Sequence, residues 1–245
     1  MMKKKYVLIF LTAFVILFVT GITVSAVIKN ELSKQEIESH IESAYQEYEK
    51  NKQQSLENLN PDEVLVQGKD FKITLGEFVE HKNLLLYLEQ VSSIINDDTN
   101  NTIEKSSNLS NKELLLGLLN GYVLSNYAKN LGIEVSKQEV DDYIALNKKM
   151  VSALDAISEN ESDVITKALF ENQLKKHGWS EDEFWKLPKV REAYERALLK
   201  SKLVDKLIEL RKVNDYNDYL EYEAELMAKE IENLEIRWDL LEKVK

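Results

Sequence analysis

The chain has 245 residues, 44% of them hydrophobic and 31% charged, and a net charge of −11. It has no cysteine, which excludes disulfides, thiol nucleophiles, Cys-based zinc sites and Cys-linked lipids, and its scarcity of glycine and proline argues for helices over a β-sandwich. Lys3, Lys4 and Lys5 are the only charges in the first 28 residues, so residues 29–245 carry −14, a balance repelled by nucleic acid and by anionic membrane surfaces.

In chain order, residues 1–5 form a basic tail, and Tyr6 to Ile28 are 23 residues without a charge. As a helix these reach roughly 34 Å, enough to cross a bilayer core of about 30 Å. The lysines keep the amino terminus in the cytoplasm and place the remainder outside. The expectation is a single-pass anchor in a bacterial cell membrane. The alternative is a signal peptide cleaved near Ala26, because Val24-Ser25-Ala26 offers small residues to a peptidase.

Residues 29–60 read as a charged amphipathic helix running from about Lys34 to Leu59. Ile37, Ile41, Ala44, Tyr45 and Tyr48 make one apolar stripe, fit either to dock on the rest or to serve as a stalk above the membrane. Residues 61–245 follow as one domain. Val64–Val66 and Phe71–Ile73 are short β-prone runs around the turn-like Gln67-Gly68-Lys69-Asp70. An apolar helix with Phe78, Val79, Leu84 and Tyr87 comes next, then a polar Asn/Ser-rich loop over residues 96–111. The helix from Glu113 to Asn130 is apolar on most sides and is expected at the centre of the core. Further helices begin at Ser136, at Ser180 and near Glu192, the last running to Val213. Another spans Tyr216 to Ile231, and "LEIRW" alternates as a late strand whose only good partners are the two early runs. Ser33…Glu36, Thr74…Glu77, Ser110…Glu113, Ser136…Glu139 and Ser180…Glu183 each have capping-box spacing at an expected helix start.

Three stretches carry a resemblance. "VLVQGKDFKITLGEF" resembles the V-N-G-x-x-I-T-x-x-E-F opening of the SurA/PrsA-type extracytoplasmic chaperones, with Gln67 in place of the usual Asn. "LLNGYVLSNYAKNLGIEVSKQEVDDYI" is similar to that family's next segment, matching it at Ala128, Leu131, Gly132, Ile133, Val135, Ser136, Glu139, Val140 and Ile144. "HGWSEDEFW" resembles the entry to a later helix. The resemblance covers about residues 60–240. It implies a mostly α fold, a SurA N-terminal-like helical module with a small sheet of short terminal strands, which cradles unfolded exported polypeptides without a cofactor. Many relatives add a parvulin-type prolyl isomerase domain. This chain has neither the room nor the Gly-rich, His-containing signatures, so no enzymatic activity is expected.

Candidate chemistry is sparse. Adjacent carboxylates such as Asp97-Asp98, Asp141-Asp142 and Glu181-Asp182-Glu183 can do acid–base work, but neighbours on a helix point about 100° apart and usually hydrate. His40, His81 and His177 lie far apart, fit solvent-facing or capping roles, and make no metal spacing. The N-x-S/T triplets at Asn100, Asn108 and Asn160 are coincidental in a bacterial protein. The aromatic group Trp179, Phe184, Trp185 and Tyr194 could line a peptide-binding cleft, although packing in a helix junction is the commoner role. The expected function is a membrane-anchored chaperone for unfolded exported polypeptides. The alternative is a tethered scaffold that uses the same fold for one fixed partner. Nothing in the chain sets an oligomeric state.

Overall fold

The computed structural model describes residues 33–95, 106–157 and 161–245. The Tyr6–Ile28 segment and residues 96–105 of the Asn/Ser-rich loop lie outside the described residues. Among the described residues no helix is long and apolar enough to cross a membrane.

Local chemistry sets the helix starts. Helix α1 (Lys34–Ser55) opens with the Ser33–Glu36 capping box. Strand β1 (Val64–Gln67) and strand β2 (Lys72–Thr74) lead to α2 (Leu75–Ile95), where the Thr74 amide donates to Glu77 at 3.0 Å and the Glu77 amide donates to Thr74 at 3.2 Å. Ser110–Glu113 caps α3 (Asn111–Asn130), and Ser136–Glu139 caps α4 (Lys137–Ile157) in the same way. Helix α5 (Glu161–His177) is followed by α6 (Glu181–Lys186), capped by Ser180–Glu183. All five boxes read from the sequence are formed, each satisfying two amide groups that the first turn leaves unpaired.

Glycine sets two of the ends. Gly132 follows α3 at φ +75, with the Ile133 amide donating to the Ala128 carbonyl at 3.0 Å. Gly178 follows α5 at φ +66, with Trp179 donating to Leu174 at 3.0 Å. Both are Schellman closures, where a left-handed residue lets the chain turn back on the last carbonyls.

Two helices differ in extent from the sequence expectation. Helix α1 stops at Ser55 rather than Leu59, because the chain turns through Asn58 at φ 65. Helix α7 runs over Pro188–Glu209 rather than Glu192–Val213. Pro188 needs no amide donor in the first turn, so it starts the helix early. Arg211, at φ 53, closes the far end. Helix α8 (Tyr216–Ile231), strand β3 (Glu235–Ile236) and the short α9 (Trp238–Leu241) complete the chain.

The fold is mostly helical with one small antiparallel sheet, ordered β2-β1-β3. The late strand pairs with the first, Val66 opposite Ile236 and Gln67 opposite Glu235. Gly68 in the β1–β2 turn leaves room for the Phe71 ring, which a Cβ there would meet at 2.6 Å and push aside.

Side chains divide into two cores. The first joins α1, the later half of α2, α4, α5, α6 and the start of α7, around Ile41, Tyr45, Tyr48, Tyr87, Phe170, Trp185 and Tyr194. The second joins the sheet, the start of α2, α3, the later half of α7, α8 and α9, around Leu65, Phe78, Leu115, Leu119, Leu203 and Leu207. Helices α2 and α7 therefore serve both, which explains why α2 carries buried apolar residues on more than one face. Helix α1 is docked, not free: Ile37, Ile41, Ala44, Tyr45 and Tyr48 are all buried against the first core.

Candidate functional site

The four aromatics singled out in the sequence are brought together, and packing accounts for their position. Phe184, Trp185 and Tyr194 are at most 2% exposed. Phe184 meets Trp185 edge-on at 5.0 Å and Phe170 at 5.2 Å, and Tyr194 lies 6.3 Å from Trp185. Trp179 is half-buried and stacks on His177 at 4.4 Å. In this conformation the group holds α5, α6 and α7 together and presents little surface to a ligand.

The histidines differ from the expectation of solvent-facing or capping roles. His40 is exposed, but His81 and His177 are half-buried. Burial holds both rings neutral, lowering each to about 4. The adjacent carboxylates are spent on structure. Asp141 pairs with Arg191 at 2.6 Å, Asp142 accepts from Gln138 at 2.8 Å, and Asp182 pairs with Lys148 at 2.9 Å. Glu181 accepts from the Trp185 ring N–H at 3.1 Å. Glu139 is held down to about 2, first by its hydrogen bond from Lys202 and then by the Ser136 cap. Asp97-Asp98 lies outside the described residues.

Three arrangements were not legible in the sequence. The first is buried between α1 and α2. Glu80, 2% exposed, pairs with Lys52 at 2.9 Å and accepts from the Tyr48 hydroxyl. Burial raises the Glu80 carboxyl, and the Lys52 ammonium opposes that rise. The Tyr48 ring lies 5.5 Å from the Lys52 ammonium and clusters with the Tyr45 and Tyr87 rings, with centroids 5.6 to 6.2 Å apart.

The second is the turn between α7 and α8. Ile208, Leu210, Tyr216 and Leu220 lie within thirteen residues of chain and are 41% to 64% exposed. Tyr216 and Leu220 are one helical turn apart and so share a face of α8. Inside the turn, the Lys212 ammonium donates to the Tyr127 hydroxyl at 3.2 Å and the Tyr222 hydroxyl at 3.5 Å, and those hydroxyls are 2.7 Å apart. These bonds raise the Lys212 ammonium, so the turn carries a fixed cation beside its apolar side chains.

The third lies at the far end of α1. A cleft of about 430 Å³ there is lined by α1 and α2 side chains, among them Asn51, Gln54, Ser55, Lys82 and Asn83, together with Lys245. Lys82 is half-buried, and desolvation lowers its ammonium. The sequence held one hint of these features: the polar run Glu80-His81-Lys82-Asn83 lies between the apolar Phe78-Val79 and Leu84-Leu85-Leu86 of α2. The pairings themselves join residues far apart in the chain.

Comparison with known protein families, with curated proteins and with solved structures returned no match. Among the described residues no group of His, Cys, Asp or Glu is placed to hold a metal ion.

Proposed function

We propose that this chain is a membrane-anchored extracytoplasmic chaperone-like protein that binds unfolded exported polypeptides without an isomerase domain. The observation that carries the reading is the α7–α8 turn. Four large apolar side chains stand exposed there on a strongly acidic molecule, which leaves them available to a partner. A fold whose first and last strands pair around capped helices agrees with the chaperone resemblance of residues 60–240. The uncharged Tyr6–Ile28 segment supports placement at the outer face of a membrane. The charge of −14 on residues 29–245 favours basic clients.

The test is suppression of client aggregation. The full chain in nanodiscs is expected to halve the light scattering of a chemically unfolded, basic client at about equimolar ratio. A variant with Ile208, Leu210, Tyr216 and Leu220 all changed to Ser is expected to lose that effect while keeping its helical circular dichroism. Equal suppression by both proteins, or none by either, contradicts the reading. Capture in cells of one dominant partner instead of many exported chains would favour the tethered scaffold.

A further inference from the structure

The chain's own residues 238–245 lie on the molecule as a bound peptide would. Three apolar side chains enter the second core: Leu240 and Leu241 are 2% and 3% exposed, and Val244 is 5% exposed. Several carbonyl groups of the segment are taken up by side chains of other elements. The Asn111 amide donates to the Val244 carbonyl at 2.9 Å and to the Leu241 carbonyl at 3.4 Å. The main-chain oxygen of Lys245 accepts from the Ser55 hydroxyl at 3.1 Å and the Lys82 ammonium at 2.7 Å. Lys82 also donates to the Asn111 side-chain oxygen at 2.9 Å, so the three donors from α1, α2 and α3 form one connected cradle. The cleft described above adjoins this cradle.

Side chains that bind backbone carbonyls recognise a chain whatever its sequence, while apolar pockets select which chain. We propose that the cradle of Ser55, Lys82 and Asn111, with the pockets under Leu240, Leu241 and Val244, is a peptide-binding groove. Residues 238–245 occupy it in cis, as a stand-in for a client. The ligand class is an unfolded polypeptide segment with two adjacent apolar residues and a third apolar residue three positions on. A tethered occupant competes at millimolar effective concentration, so the groove is closed to weak ligands and opens only to segments that displace the tail. This inference rests on the polypeptide-binding reading but concerns a different face from the α7–α8 turn.

The experiment uses the full chain and a fluorescein-labelled peptide of sequence DLLEKVK, acetylated and amidated, so that the carbonyl held by Ser55 and Lys82 is present. Val244→Asp, with Val244→Ser as the milder variant, removes one apolar anchor of the tail and leaves the cradle intact. Hydrogen exchange is expected to speed up at residues 238–245 and stay unchanged in β1 and α3. Peptide binding is expected to tighten about tenfold over wild type, equivalent to about 1.4 kcal/mol. Adding Asn111→Ala to either variant is expected to abolish the gain. A released tail without tighter peptide binding overturns the proposal, as does a tail that stays protected in both variants. The titration reads the groove and the aggregation assay reads the function, so either can fail alone.

Discussion

The two cores solve the same packing problem with different residues. The second is mostly aliphatic, built on Leu65, Leu115, Leu119, Leu124, Leu203 and Leu207, and anchored by the sheet. The first is aromatic and laced with polar groups: Tyr45, Tyr48, Tyr87, Phe184, Trp185 and Tyr194 pack around buried Glu80, Asn147 and Gln173. Tyr87 Oη, Tyr194 Oη, Asn147 Oδ1, Asn172 Oδ1 and Gln173 Nε2 are buried there without a partner among the described residues. Each unpaired group of this kind costs about 1–3 kcal/mol. The difference predicts that helices α2 and α7, which run through both cores, join a half that opens less easily to one that opens more easily.

The largest effect is expected from Trp185→Ala, which removes a fully buried ring and should lower unfolding stability by about 3–5 kcal/mol in urea titration. Hydrogen exchange should then accelerate in α4, α5 and α6 while β1 and α3 stay slow. Equal acceleration everywhere would erase the distinction between the cores. Next comes Lys52→Met, which strands Glu80 without its cation at a cost of about 3 kcal/mol. The double variant Lys52→Met/Glu80→Leu should regain most of that loss, because it removes both charges. No recovery would mean that the pair contributes through packing alone.

Acid should weaken the molecule. His81 and His177 sit near 4 in the folded state, below the ordinary 6.5, so the unfolded chain binds more protons between those values. Their contribution is complete above pH 6.5 and is lost as pH falls to 4. Allowing for the partial exposure of both rings, the combined loss is about 2–4 kcal/mol. Glu80 works in the opposite sense: its raised carboxyl holds a proton in the folded state first, so stability rises as pH falls between its folded value and the ordinary 4.5. Thermal melts of the double variant His81→Gln/His177→Gln should show a flatter profile from pH 6.5 to 4. The smallest effect is at Arg211, which closes α7 at φ 53 although it carries a Cβ. Arg211→Gly should raise stability by about 0.5–1 kcal/mol in the same melts.

Features set by neighbours in the chain were legible in the sequence. The Ser–Glu and Thr–Glu boxes and the pairing of "LEIRW" with the early strand follow from local chemistry and a shortage of other partners. Features set by packing were not. Periodicity put Ile37, Tyr45 and Tyr48 on one stripe without saying what the stripe touches. It also did not show that Trp185 and Tyr194 would be sealed inside. The Lys52–Glu80 pair and the hold of Lys82 and Asn111 on the last residues join positions from 28 to 163 apart in the chain, which spacing rules do not reach. The four exposed residues from Ile208 to Leu220 read as ordinary helix faces until the fold left them uncovered.

The central claim is that this molecule holds unfolded chains at the α7–α8 turn. Its most direct test is photo-crosslinking in the full chain, with a photoreactive residue placed at Leu220 or at Leu146, an exposed position on α4. With an unfolded, basic client present, the account predicts strong crosslinks from Leu220, weak ones from Leu146, and none from either when the client is folded. Equal yields from the two positions, or yields that ignore whether the client is folded, would contradict it.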